Sequence, residues 1–271
     1  MSVKQRAAKL LTEVREQVPL VHNITNYVTV NDVANAVLSI GASPIMADDV
    51  EEAADITSIS QALVINIGTL NKRTIDSMIS AGKKANEFGL PVVLDPVGAG
   101  ASNLRNETTK AIIEQVKISI LRGNLSEVSF VAGLDVATKG VDSAEADEEN
   151  DAVEVAKTVA KRLNCVTAIT GAVDIISDGT SVVKIANGHK MLSKVTGTGC
   201  MTSALVGAFA GVSKDYLTAA AAGVASMGIA GEMAYEKAGN IGTGSFHIAI
   251  IDALSNLDGK TLEEMAKFEE E

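Results

Sequence analysis

The hydrophobic positions change period several times along the chain, and each change marks an element. Residues 1–17 carry apolar side chains at helical spacing among alternating charges, which predicts an amphipathic helix. Residues 19–24 are short and apolar, a strand running into the polar pair Thr25-Asn26; the helical period returns over 28–40, and 43–48 reads as a second short strand. A rhythm then sets in: strand 62–67, helix 72–88, strand 91–94, helix 104–116, strand 118–121, a helix opening at Leu125, a helix over 152–163 and a strand over 166–169. The acidic stretch 142–151 reads as a solvated insertion without chemistry. Residues 173–177 and 181–185, joined by Asp178-Gly179-Thr180, form a hairpin, because Asp-Gly between β-rich runs is a strong turn signal. Only helices follow, over 201–212, 216–238 and 246–256, with a charged tail from Leu262.

Alternating strands and helices predict βαβ units around a mostly parallel sheet. The strands are apolar nearly throughout, as expected when helices cover both faces. No internal repeat or linker interrupts the pattern, so residues 1–271 are expected to form one α/β domain. In such sheets ligands bind beyond the carboxyl ends of the strands. Successive strand ends read Asn66-Ile67-Gly68, Asp95-Pro96, Arg122-Gly123-Asn124 and Thr170-Gly171, each a polar residue beside Gly or Pro on one edge of the sheet. Four in a row point to a site. Earlier, Asn23 is a candidate ligand contact, whereas Asn26 reads as a cap for the next helix. Met46 stands at a strand end, where core packing and ligand contact both fit.

The stretch Val195-Thr196-Gly197-Thr198-Gly199-Cys200 is a glycine turn feeding a small, apolar helix. Free N–H groups at a helix start, with the helix dipole behind them, suit an oxyanion. Neither a Walker lysine nor a third glycine of the dinucleotide fingerprint follows it. Cys200 sits at the mouth of that turn. Composition narrows the ligands. A net charge of −11 and the absence of Trp argue against nucleic acid and anionic membrane surfaces, so a polyphosphate has to be held locally by amides, single cations and a metal. Two cysteines give no disulfide framework, and Cys165 reads as core. No secretory leader is apparent, and 219–230 is too short and too rich in Ala and Gly to span a bilayer, so a cytoplasmic protein is expected.

An anion-binding helix start with an Asp, an Arg and a Glu on one sheet edge suggests phosphoryl transfer, which needs positioning and charge neutralisation. Asp95 and Glu127 are placed to hold Mg²⁺ through waters, Arg122 to pair with phosphate oxygens, and Cys200 to face the accepting hydroxyl. Glu127 as a plain first-turn carboxylate and Arg122 as a surface ion pair remain open alternatives.

Four segments together, Val21-His22-Asn23-Ile24-Thr25-Asn26, Asp95-Pro96-Val97-Gly98-Ala99-Gly100, Arg122-Gly123-Asn124-Leu125-Ser126-Glu127 and Val195-Thr196-Gly197-Thr198-Gly199-Cys200, resemble the hydroxyethylthiazole kinase family, in the same order and over essentially the whole chain. The resemblance implies a ribokinase-like fold, transfer of the ATP γ-phosphate to the primary alcohol of 4-methyl-5-(2-hydroxyethyl)thiazole in thiamine salvage, and a homotrimer with its site at the subunit interface. It further implies that Met46 and Gly197 contact the thiazole and that Arg122 and Thr170 contact ATP. Asp95 and Glu127 would serve metal and phosphates, and Gly197, Thr198 and Gly199 form the anion hole. Cys200 stands where many ribokinase-like kinases have an Asp base, and acts as a modest base or orients the hydroxyl. The rivals are a hydroxymethylpyrimidine-type kinase, an ADP-dependent nicotinamide-nucleotide dehydratase and a non-catalytic sensor; the Cys in the turn opposes the first two and the complete Asp95, Glu127 and Arg122 set opposes the third.

Overall fold

The protein is described by a computed structural model over residues 1–133 and 145–271. Among these residues one sheet has nine strands: β1 (Leu20–Ile24), β2 (Ser43–Ile45), β3 (Ala62–Asn66), β4 (Val92–Asp95), β5 (Ile120–Asn124), β6 (Val166–Thr170), β7 (Asp174–Ser177), β8 (Val182–Ile185) and β9 (Phe268–Glu270). Their spatial order is β2-β1-β3-β4-β5-β6-β7-β8-β9. The pairings from β2 through β6 are parallel, and those from β6 through β9 antiparallel. The helices are α1 (Val3–Gln17), α2 (Val30–Ile40), α3 (Ala53–Ser58), α4 (Lys72–Glu87), α5 (Asn103–Gln115), α6 (Leu125–Ala132), α7 (Glu145–Leu163), α8 (Thr198–Ala210), α9 (Tyr216–Ala238), α10 (Thr243–Asn256) and α11 (Gly259–Met265).

Side chains alternate along each strand, so the sheet feeds two apolar layers. Ala62 and Val64 face the layer that contains residues of α1, α2, α8, α9 and α10. Leu63 and Ile65 face the layer built with α4 and α7. The alanine- and glycine-rich helices let backbones approach closely. A Cβ on Gly207 would stand 2.4 Å from Val64 Cγ2, and one on Gly223 would stand 2.6 Å from the Val206 amide nitrogen. Helix α9 has the expected bounds; against the reading of 219–230 as too short, it is long and apolar enough by length and composition to cross a membrane, but it is mostly buried inside the protein and is a core helix.

Several elements depart from the sequence reading. Helix α8 begins at Thr198 rather than 201, because Gly197 adopts φ +88° and turns the chain straight into the helix. Helix α7 begins at Glu145, inside the supposed acidic insertion, whose residues 142–144 lie outside the described set. Helix α3 was too short to show a period. The charged tail folds into α11 and β9, whose backbone pairs antiparallel with β8. Helix α1 is held at both ends by late parts of the chain: Val3 N–H donates to Glu270 Oε1 at 2.9 Å, and Arg15 donates to the carbonyls of Ser255 and Leu257 at 3.0 and 2.9 Å.

Candidate active site

Sheet register brings the predicted strand ends together. Asn66 is the register partner of Asp95, and Asn124 that of Thr170. Asp95, at the end of β4, is fully buried. Its Oδ2 accepts from Ser203 Oγ at 2.7 Å, Asn66 Nδ2 at 3.1 Å and Arg122 Nη1 at 3.4 Å. Its Oδ1 is buried without a hydrogen-bond partner among the described residues. Burial pushes the Asp95 carboxyl up to about 6; Arg122 and Ser203 pull it down and the Glu127 carboxylate raises it.

Arg122 reaches across β5 and β6. Its Nη2 donates to Thr170 Oγ1 at 2.6 Å, and the ion pair with Asp95 is nearly dry, with side chains 12% and 1% exposed. The surface-pair alternative for Arg122 is therefore excluded. Glu127 forms a capping box with Asn124 at the start of α6, and its Oε1 also accepts the Gly98 amide at 2.8 Å. It thus is a first-turn carboxylate, and it ties the loop after β4 to α6.

The start of α8 faces this array. The first backbone bond of the helix runs from Met201 N–H to Gly197 O, and among the described residues no side chain caps the turn. The amides of Thr198, Gly199 and Cys200 precede the ladder, as in anion-binding helix starts. A Cβ on Gly199 would stand 2.9 Å from Arg122 Nη1, so only glycine lets the guanidinium lie against the turn. The half-buried Cys200 accepts from Asn26 Nδ2 at 3.2 Å.

A cleft of about 560 Å³ opens here, lined among others by Arg122, Thr170, Asp174, His189, Thr198 and Gly199. A second cleft, of about 420 Å³, includes Leu90, Ile118, Cys165 and Val166, close to the amino ends of β4, β5 and β6 and away from these groups. Met46 is half-buried just past β2 and packs on the core, and Asn23 is buried in β1 with its Nδ2 turned back to Val21 O at 2.9 Å; neither lines the 560 Å³ cleft. His22 is structural: its Nε2 lies 2.7 Å from Ala47 O and Nδ1 2.8 Å from Thr57 Oγ1, and burial holds it below the usual imidazole range.

Sequence reading missed Ser203 and Asp174. Ser203 lies one turn after Cys200 on α8 and becomes visible once the helix is started at Thr198. Asp174 was read only as part of the hairpin. It is buried, accepts the Gly171 amide at 2.9 Å, and burial pushes it up to about 7 against the pull of that amide and of Arg122. The sign follows from linkage. A carboxyl raised in the folded state contributes stability fully below its unfolded value and loses it as pH rises through the folded one. Asp174→Asn is expected to gain Tm over the parent progressively between about pH 4 and pH 7 and to level off above, which thermal unfolding across pH measures.

The fold is shared with solved structures that differ widely in sequence, such as Staphylococcus aureus pyridoxal kinase in complex with ADP (TM-score 0.61, 16% identity, 80% of this chain and 89% of that one). Fold and strand-edge site define a ribokinase-like α/β domain. A structure of a hydroxyethylthiazole kinase protein from Pyrococcus horikoshii matches with TM-score 0.89 and 40% identity over 98% of this chain and 99% of that one. A hydroxyethylthiazole kinase of Ruminiclostridium cellulolyticum is 66% identical over 267 residues, 98% of each chain, and that of Clostridium beijerinckii 65% over 268 residues, 98% of this chain and 97% of the relative. The hydroxyethylthiazole kinase family profile matches residues 11–260, and the chain belongs to that family.

Proposed function

We propose that the protein transfers the γ-phosphate of ATP to the primary hydroxyl of 4-methyl-5-(2-hydroxyethyl)thiazole, a step of thiamine biosynthesis, from a single domain spanning residues 1–271. The observation that carries this reading is the hydrogen-bonded array Cys200–Asn26–Asn66–Asp95–Arg122–Thr170, which joins a thiol at the glycine turn to a cation at the cleft. Arg122 and Thr170 hold the ATP phosphates. The amides of the Gly197-Thr198-Gly199 turn take the charge that develops on the transferred group. Met46, Asn23 and Gly197 serve the thiazole side.

Asp95 and Glu127 suit Mg²⁺ held through water. Asp95 keeps one buried oxygen free of partners among the described residues, while each Glu127 oxygen already accepts an amide. Bound there, the metal would neutralise phosphate charge. A homotrimer with the site at the subunit interface fits the exposed Tyr27 and Val28, apolar side chains next to Asn26; sedimentation mass tests it.

Cys200 orients the accepting hydroxyl, whose proton is lost late to an oxygen of the phosphoryl group being transferred, because the reaction is largely dissociative and needs no strong base. The test is ADP release from Mg-ATP with and without the thiazole alcohol. Thiazole-dependent release is expected; Cys200→Ala retains a measurable fraction of it, and Cys200→Asp keeps or raises it. A folded but dead Cys200→Asp variant sinks the role given to the thiol, and release indifferent to thiazole sinks the acceptor.

A further inference from the structure

We infer that Asn26 is a positioning residue that fixes the Cys200 sulfur, acting through a hydrogen bond its side-chain amide donates to that sulfur. The inference rests on the role proposed above for Cys200 and extends it to the residue behind the thiol.

The orientation of the Asn26 amide is determined by its neighbours. Thr29 N–H and Thr29 Oγ1 both approach Asn26 Oδ1 at 3.1 Å. A backbone N–H can only donate, so that atom is the oxygen and the opposite one is the nitrogen. Nδ2 then lies 3.2 Å from Cys200 Sγ and 3.5 Å from Asn66 Oδ1. Asn66 is fixed in the same way: its Oδ1 accepts the Gly68 amide at 2.8 Å and its Nδ2 donates to Asp95 Oδ2. A turn cap explains Asn26 Oδ1; it does not explain Nδ2, which faces the thiol and the amide leading to Asp95. Because Asn26 donates, the sulfur accepts, and the thiol proton is directed away from Asn26. The same link sets the thiol at a fixed distance from the Asp95–Arg122 pair. Gly68 completes the device. A Cβ there would stand 2.8 Å from Asn26 Nδ2 and 2.9 Å from Asn66 Oδ1.

The test is a double-mutant cycle in thiazole-dependent ADP release, with Asn26→Ala and Cys200→Ala singly and together. Loss of one neutral hydrogen bond predicts a roughly tenfold lower kcat for Asn26→Ala with KM for ATP held within about twofold, and no further loss when Cys200 is already Ala. Asn26→Asp keeps the acceptor for Thr29 and removes the donor, so it is expected to match Asn26→Ala; it also serves if the alanine variant unfolds. Gly68→Ala, which leaves both residues in place but crowds the amide, is expected to show the same kcat defect. A second readout is independent of turnover. Cys165 is buried, so iodoacetamide labelling reports Cys200, and Asn26→Asp is expected to slow it several-fold because a carboxylate replaces the donor. Equal loss from Asn26→Ala in both backgrounds, or an unchanged labelling rate, overturns the inference alone. Full activity of Cys200→Ala overturns the role of the thiol and this inference with it.

Discussion

Arg122→Met is expected to lower kcat/KM about a thousandfold, within the range by which single arginines assist phosphoryl transfer. Arg122 connects the Asp95 carboxylate to Thr170 at the cleft, and the pair is nearly free of water. Removing it leaves Asp95 buried without its counter-charge, a change that costs about 3–5 kcal/mol for broken buried pairs. Arg122 is among the groups that hold the Asp95 carboxyl down, so the variant's Asp95 rises further and binds a proton near neutrality. The Tm loss is therefore expected to be larger at pH 8 than at pH 5. Arg122→Lys restores a charge but not the two-pronged reach and is expected to fall between. An Arg122→Met variant within tenfold of the parent in the ADP-release assay rules out the role assigned here.

Gly197→Ala is expected to lower kcat about a hundredfold, the order of effect produced by a misplacement of about 1 Å at an active site. Two constraints meet there. Gly197 has φ +88°, a region costly for a residue with a Cβ. The added Cβ would also stand 2.7 Å from Thr29 Cγ2. Thr29 is the residue whose amide and hydroxyl anchor Asn26, so displacing it disturbs the thiol as well as the turn. Steady-state kinetics decide the point: a rise in KM for the thiazole alone, with kcat intact, contradicts it.

Much of the fold was legible because buried parallel strands and covering helices have different periods. Strands β3 to β6 and helices α4, α5 and α9 fell within a few residues of their expected places. What failed had little pattern to read. Strand β9 is three residues of mostly charged sequence whose pairing is made by backbone, and α3 is six residues long. The site was legible as residue types at strand ends, Asp95, Arg122 and Thr170 above all. Its connections were not. Nothing local says that Asn26 turns its amide to Cys200, 174 positions away, or that Ser203 reaches Asp95 across 108. Such links depend on how α8 crosses the sheet, and that is decided by Gly207 and Gly223 meeting other backbones and side chains, far from the polar residues concerned.

The seam between α1 and the end of the chain sets an order of assembly on the ribosome. Helix α1 precedes the other described elements, yet those it packs on most, α9 and α11, are made roughly 200 residues or more later, and its Val3 amide waits for Glu270. Until they emerge, its apolar face, with Leu10, Leu11 and Val14, has only α2 and later α8 among its native neighbours. The parallel strands and their near-neighbour helices can form meanwhile, but the layer containing α1 closes only after the last strand has emerged. The nascent chain thus leaves most of the apolar face of α1 uncovered until α9 and α11 emerge, and that face is a segment on which holding chaperones have time to act.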